Sequence, residues 1–191
     1  MIRIKFAATL LAVLALAGCY PPVTTHPLGS TTNSKPDTAL AGTWKGVDTD
    51  GKPHYVHFLQ QSDSTISAVV VESGAKAEDW FAAKLTCAKL GANRFLNGRL
   101  EWTNDKPEHD IPGTVPVIYS IDAKGTLTLA MMDEDKVKNA VRAGKIKGTV
   151  EKGQFGDVTI TESPAALDKL FASPAVTKLF AQPFLTLHRV D

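Results

Sequence analysis

The sequence predicts a mainly β protein, an antiparallel meander β-barrel of about eight strands, and three observations carry that prediction. In the stretch 40–46, strand geometry puts Gly42, Trp44 and Gly46 on one face and Thr43, Lys45 and Val47 on the other, so that an inward tryptophan sits beside an outward lysine. Six further segments rich in strand-forming residues follow at 55–59, 66–71, 80–87, 94–102, 115–122 and 126–132. The chain then ends on 185–189, where Leu185, Leu187 and Arg189 share a face.

Before the first strand the chain reads as address and tether. Arg3 and Lys5 precede an apolar run over 6–16, which is the layout of an export signal and too short to span a bilayer as a helix. The residues Leu16-Ala17-Gly18-Cys19 resemble the lipobox of bacterial lipoproteins. The resemblance implies a signal peptide over 1–18, cleavage before Cys19, a diacylglycerol on its sulfur and an acyl chain (palmitate) on its amine. It also implies an anchored protein of the cell envelope, and Tyr20 after the cysteine points to the outer membrane, facing the periplasm. Residues 19–37, rich in Pro, Thr and Ser and without periodicity, are expected to be the lipidated cysteine and a flexible tether. Residues 38–191 are expected to form a single domain.

Composition narrows the partners. Lysine and arginine number 21 against 20 acidic residues, and loss of Arg3 and Lys5 with the signal leaves 19 against 20, with no basic run to hold nucleic acid. Of the two cysteines, Cys19 is committed to lipid by the lipobox reading, so Cys87 has no partner for an internal disulfide and reads as a small buried apolar residue.

The remaining elements follow in order. The turn 48–51 joins the first strand to 55–59, and its Asp-x-Asp-Gly lacks the later ligands and closing glutamate of a calcium loop. Residues 62–64 turn into 66–71, which is apolar on both faces in its second half and therefore covered on both sides. Asp133 caps a helix over about 133–143, stopped by Gly144, with Val137, Ala140 and Val141 on one face. Short strands are expected at 146–150 and 156–161. Two Ser-Pro-Ala starts, at Ser163 and Ser173, open two short helices near 164–181, before the last strand and laid over one end of the barrel.

Gly42-x-Trp44, preceded by a short helical turn and answered by Arg189 in the last strand, resembles the opening and closing motifs of the lipocalin-like, or calycin-like, superfamily. The resemblance implies structural roles for Gly42, Trp44 and Arg189, with the guanidinium packed over the indole. Its helices precede the last strand, whereas in lipocalins proper the main helix follows the barrel, so the likeness is to lipocalin-like bacterial lipoproteins of unassigned function.

No residue pattern points to catalysis. His54 and His57 fall on opposite strand faces, and His26, His54, His57, His109 and His188 show no metal-ligand spacing. Nothing pairs Glu72 and Glu101 as acid and base, and no nucleophile elbow or dinucleotide fingerprint occurs. The expectation is a protein without enzymatic activity, cofactor or metal. It binds a small apolar or amphipathic ligand inside the barrel, lined by Trp44, Phe58, Val69, Tyr119, Leu127 and Leu129. The alternative is a filled barrel whose surface, including the loop 103–114 rooted at Trp102, meets an envelope protein partner.

Overall fold

A computed structural model describes residues 21–30, 35–48, 51–72, 80–103, 106–107, 113–150 and 158–190. The signal segment and Cys19 lie outside the described residues, as do His109 and most of the loop 103–114.

Eight strands close into one antiparallel barrel: β2 (Gly42–Asp48), β3 (Pro53–Gln60), β4 (Ile66–Glu72), β5 (Trp80–Leu90), β6 (Asn93–Thr103), β8 (Val115–Ile121), β9 (Thr126–Met131) and β12 (Leu185–Arg189). Each pairs with the next, β5 joins β6, and β12 returns to lie between β9 and β2. Barrel closure leaves no edge along these strands. The barrel is the lipocalin-like meander that the strand pattern predicts. A two-residue strand, β7 (Lys106–Pro107), adds to β6 in the span expected to be loop.

Chain alternation builds two cores on the two faces of the same wall. Inside, Trp44, Val56, Phe58, Ala68, Leu96, Leu127 and Leu187 pack together with Leu40 and Leu185. Outside, Ala88, Leu90 and Phe95 carry a second cluster with Leu167, Phe171, Val176 and Phe180. Neighbours in sequence therefore divide, Cys87 and Leu96 facing in while Ala88 and Phe95 face out. Phe95 meets Phe171 edge to face at 5.4 Å and Phe180 at 6.0 Å.

Outer cover comes from α1 (Glu134–Arg142), α2 (Pro164–Ala172), a 3-10 turn over Pro174–Leu179 and a small sheet. That sheet joins β1 (Val23–Thr24), β11 (Val158–Ile160) and β10 (Gly148–Val150), with β1 parallel to β11. Asp133 caps α1 by accepting the Lys136 amide, as its position predicts. The helical segments near 164–181 lie against the outer wall and not over a barrel end, and the second is a 3-10 turn; their apolar residues are met by the outward side chains of β5 and β6. Gly91, in the turn between those strands at φ +60°, lets the Ala172 carbonyl approach where a Cβ would stand 2.5 Å from its oxygen.

The tether expectation is corrected over residues 21–30. Leu28 is buried, and its amide and carbonyl are both held by the Asn97 side chain at 2.7 and 3.0 Å. Gly29 donates to Asp168, and Thr24 exchanges backbone bonds with Thr114. A Pro- and Thr-rich composition lacks the apolar area to fold alone, but here the buried side chains Asn97 and Asp168 satisfy its backbone from outside the segment.

Candidate functional site

One end of the barrel is sealed by a single 3-10 turn, Thr38–Leu40, whose Leu40 side chain is fully buried. Contacts of Trp44, Arg189 and Asp37 lock it. The Trp44 indole donates to the Leu40 carbonyl at 2.7 Å. Arg189, paired in register with Trp44, lies 4.6 Å from the centre of its ring and donates to the carbonyls of Ala41 (2.5 Å) and Ala39 (2.6 Å). Asp37 caps the turn through the Ala39 amide while its other carboxylate oxygen accepts from the Tyr119 hydroxyl at 3.0 Å and Arg94 at 3.1 Å. Gly42 has φ +117°, and a Cβ there would stand 2.8 Å from an Arg189 nitrogen, so this position of the Gly-x-Trp motif is reserved by backbone and neighbour alike. The Arg189 guanidinium thus lies over the Trp44 indole, with Gly42 beside it.

Burial pushes the Tyr119 phenol up from its ordinary pKa, which keeps the proton that Asp37 receives. Cys87 lies beneath the same turn, a buried free thiol whose sulfur accepts the Asp37 amide at 3.4 Å, and burial raises its pKa too. Iodoacetamide is therefore expected to label Cys87 at least about a hundredfold more slowly in the folded protein than in urea, because reaction needs both a thiolate and an opening of the turn. Asp37→Ala is expected to speed the native reaction, read by mass spectrometry. Equal rates in folded and unfolded chains would show the thiol to be accessible.

The far end is different. There Phe81, Val117 and Phe184 pack on the inner cluster but remain only half-buried. On the inner face of the same wall, where β2 meets β3, lies a polar pair: His54, 1% exposed, places Nε2 3.0 Å from Asp48 Oδ2, and Asp48 Oδ1 accepts the Lys52 amide at 2.9 Å. Both side chains face inward, because β2 and β3 pair Gly46 with His54 and Val47 with Pro53. His54 Nδ1 is buried and has no hydrogen-bond partner among the described residues. His57 faces out and meets Thr43 at 2.9 Å, so the expected separation of the two histidines holds.

Of the expected lining, Trp44, Phe58, Tyr119, Leu127 and Leu129 converge inside the barrel, each 5% exposed or less. They pack on one another as wall and filling. Val69 is corrected: β4 turns Ile66, Ala68 and Val70 inward, so Val69 lies on the outer face, opposite His57. Its run of three valines has no polar alternation to set the phase, and the pairing of β3 with β4 sets it instead. Asp37, Asn97 and the Asp48–His54 pair escaped the sequence reading. A signal for the last existed, since fixing the turn at 48–51 puts both even-numbered residues on one face of the hairpin.

A cleft of about 460 Å³ opens outside the barrel between β8, β9 and the 3-10 turn Pro174–Leu179, lined by Ile118, Ser120, Thr128, Phe180 and Pro183. Its charged neighbour Arg94 is engaged by Asp37, and the cleft is remote from the Asp48–His54 pair. Among the described residues no three His, Cys, Asp or Glu side chains gather to hold a metal, and no helix is long and apolar enough to cross a membrane.

Together these features define a closed, lipocalin-like β-barrel with one locked end and a buried polar pair at the other. In comparison with known proteins, the chain matches no family model, no curated protein and no solved structure.

Proposed function

We propose that the chain is a lipid-anchored protein of the bacterial cell envelope whose barrel binds a small apolar or amphipathic molecule, without catalysing its conversion. The observation that carries the reading is the asymmetry of the barrel. One end is closed by the Thr38–Leu40 turn, while the inner face away from it carries half-buried apolar side chains and, among the described residues, the buried Asp48–His54 pair. Apolar walls with few fixed polar groups are the usual make-up of a small-molecule site. The Asp48–His54 pair supplies a base and its orienting acid, but no hydroxyl or thiol lies within hydrogen-bond distance of Nδ1 among the described residues, which favours binding over nucleophilic chemistry.

The anchor follows from the lipobox resemblance at Cys19, with Tyr20 favouring the outer membrane, facing the periplasm. Pro22 is already buried in the fold, so three residue steps, at most about 10 Å of chain, lie between the acylated cysteine and the folded domain. An anchored barrel then sits close to the bilayer from which an apolar ligand comes.

The test is native mass spectrometry of the chain from Tyr20, which contains every described residue, purified from a periplasm without detergent. A stoichiometric small molecule released on denaturation supports the reading. A bare mass together with failure to take up N-phenyl-1-naphthylamine overturns it. The second reading, a filled barrel that meets an envelope protein, is favoured by the dense packing around Trp44, Leu127 and Leu187, each 1% exposed or less. Capture of one stoichiometric envelope protein by a barrel that takes up no probe is the result that distinguishes it.

A further inference from the structure

We infer that His54 Nδ1 is the polar contact of the barrel site and that it selects a ligand carrying a hydrogen-bond donor, an aliphatic alcohol or similar hydroxylated apolar molecule, over one bearing only acceptors. This inference rests on the binding role proposed above and names the chemistry of its ligand.

The argument starts from a hydrogen bond that is missing. His54 is 1% exposed, its Nε2 is engaged by Asp48, and its Nδ1 is buried without a partner among the described residues. Leaving a buried polar atom unmade costs more than a typical hydrogen bond contributes, so such an atom in a native core calls for a partner from outside the chain. The orientation of the ring is fixed in two steps: the Lys52 amide holds Asp48 Oδ1, and Asp48 Oδ2 holds His54 Nε2.

That chain of contacts also sets the sense of the missing bond. The Asp48 carboxylate accepts from both neighbours, so the proton of the uncharged imidazole resides on Nε2 and Nδ1 presents a lone pair. The complement of a buried lone pair is O–H or N–H on a neutral molecule. An anion would face the Asp48 carboxylate just across the ring. A hydroxyl with an apolar body matches both the lone pair and the apolar interior of the barrel, to which Val56 on the same strand face as His54 belongs.

The test uses the chain from Tyr20 and three probes of similar length, 1-decanol, methyl nonyl ether and decanoate, each displacing N-phenyl-1-naphthylamine. Decanol is expected to bind about five- to tenfold more tightly than the ether, the effect of one neutral hydrogen bond, and decanoate more weakly than decanol. In His54→Gln, whose amide nitrogen replaces Nε2 as donor to Asp48 but leaves no acceptor at Nδ1, the preference for alcohol over ether is expected to vanish. The 15N resonance of His54 Nδ1 in the wild-type protein is expected to move on adding decanol and to stay fixed with the ether, a readout independent of how the variant folds. Equal affinity for alcohol and ether, tightest binding of decanoate, or an Nδ1 resonance already hydrogen-bonded to internal water and unmoved by decanol each overturns the inference while leaving a binding barrel in place. Failure of the naphthylamine and of all three probes to enter overturns the binding role as well.

Discussion

Trp44→Ala is expected to lower the unfolding free energy by about 3 to 5 kcal/mol, the range for deleting a fully buried aromatic side chain. The indole is 1% exposed and does three things at once: it fills the barrel, donates to the Leu40 carbonyl and carries the Arg189 guanidinium on its face. Its loss leaves a cavity, an acceptor without its donor and a cation without its ring. For a chain of this length the melting temperature is expected to fall by roughly 10 °C. Trp44→Phe keeps most of the volume and drops the N–H, so it is expected to cost less than half as much. Urea unfolding followed by circular dichroism measures both. A loss under about 1 kcal/mol for the alanine variant would mean that the Thr38–Leu40 turn is held by the Asp37 and Arg189 contacts alone.

Phe95→Ala is expected to cost a similar amount, about 3 to 5 kcal/mol, but to spend it in another part of the molecule. Phe95 is fully buried on the outer face of β6, against Phe171 and Phe180. Truncating it removes the centre of the cluster that ties α1, α2 and the 3-10 turn to the barrel. Hydrogen exchange is expected to show the amides of α1 and those of α2 after Pro164 losing protection before those of β2 and β3, because the inner cluster keeps all its members. If every amide loses protection together, the two clusters form one cooperative unit and the distinction between cover and barrel has no energetic meaning.

The two variants test a division that was only partly visible in the sequence. The strands were legible because alternation and turn residues are local: Trp44 inward beside Lys45 outward, Gly51 and Gly125 at positive φ in the turns, Asp133 before its helix. Part of the locked end was legible through the lipocalin-like resemblance of Gly42, Trp44 and Arg189, which the pairing of β12 with β2 brings together, whereas Asp37 was not. Val69 was not legible, because three consecutive valines carry no phase of their own. Residues 21–30 were not legible either: nothing in their composition announces that Asn97, 69 residues away from Leu28, will supply the hydrogen bonds that hold them.

The candidate site divides in the same way. Trp44, Phe58, Tyr119, Leu127 and Leu129 could be placed inside from alternation alone, but alternation says nothing about whether an inward side chain lines a space or fills it. Tyr119 turned out to bind Asp37, a residue 82 positions earlier. His54 and His57 were separated by counting, whereas the partner of His54 was set by the register of the hairpin, and its unmet nitrogen by the burial of the whole barrel around it.

What the sequence by itself determined was the barrel and its order of strands, because these depend on periods of two and on turn chemistry, while Gly42, Trp44 and Arg189 were marked by a family resemblance and not by pattern. The tertiary structure alone decided which wall the helices cover, that residues 21–30 belong to the fold, and that a histidine with one unmet nitrogen lies on the inner face of the barrel. Each of these depends on hydrogen bonds and contacts between residues far apart in the chain, and such pairings acquire their geometry only when the barrel has closed and excluded the water that would otherwise satisfy them.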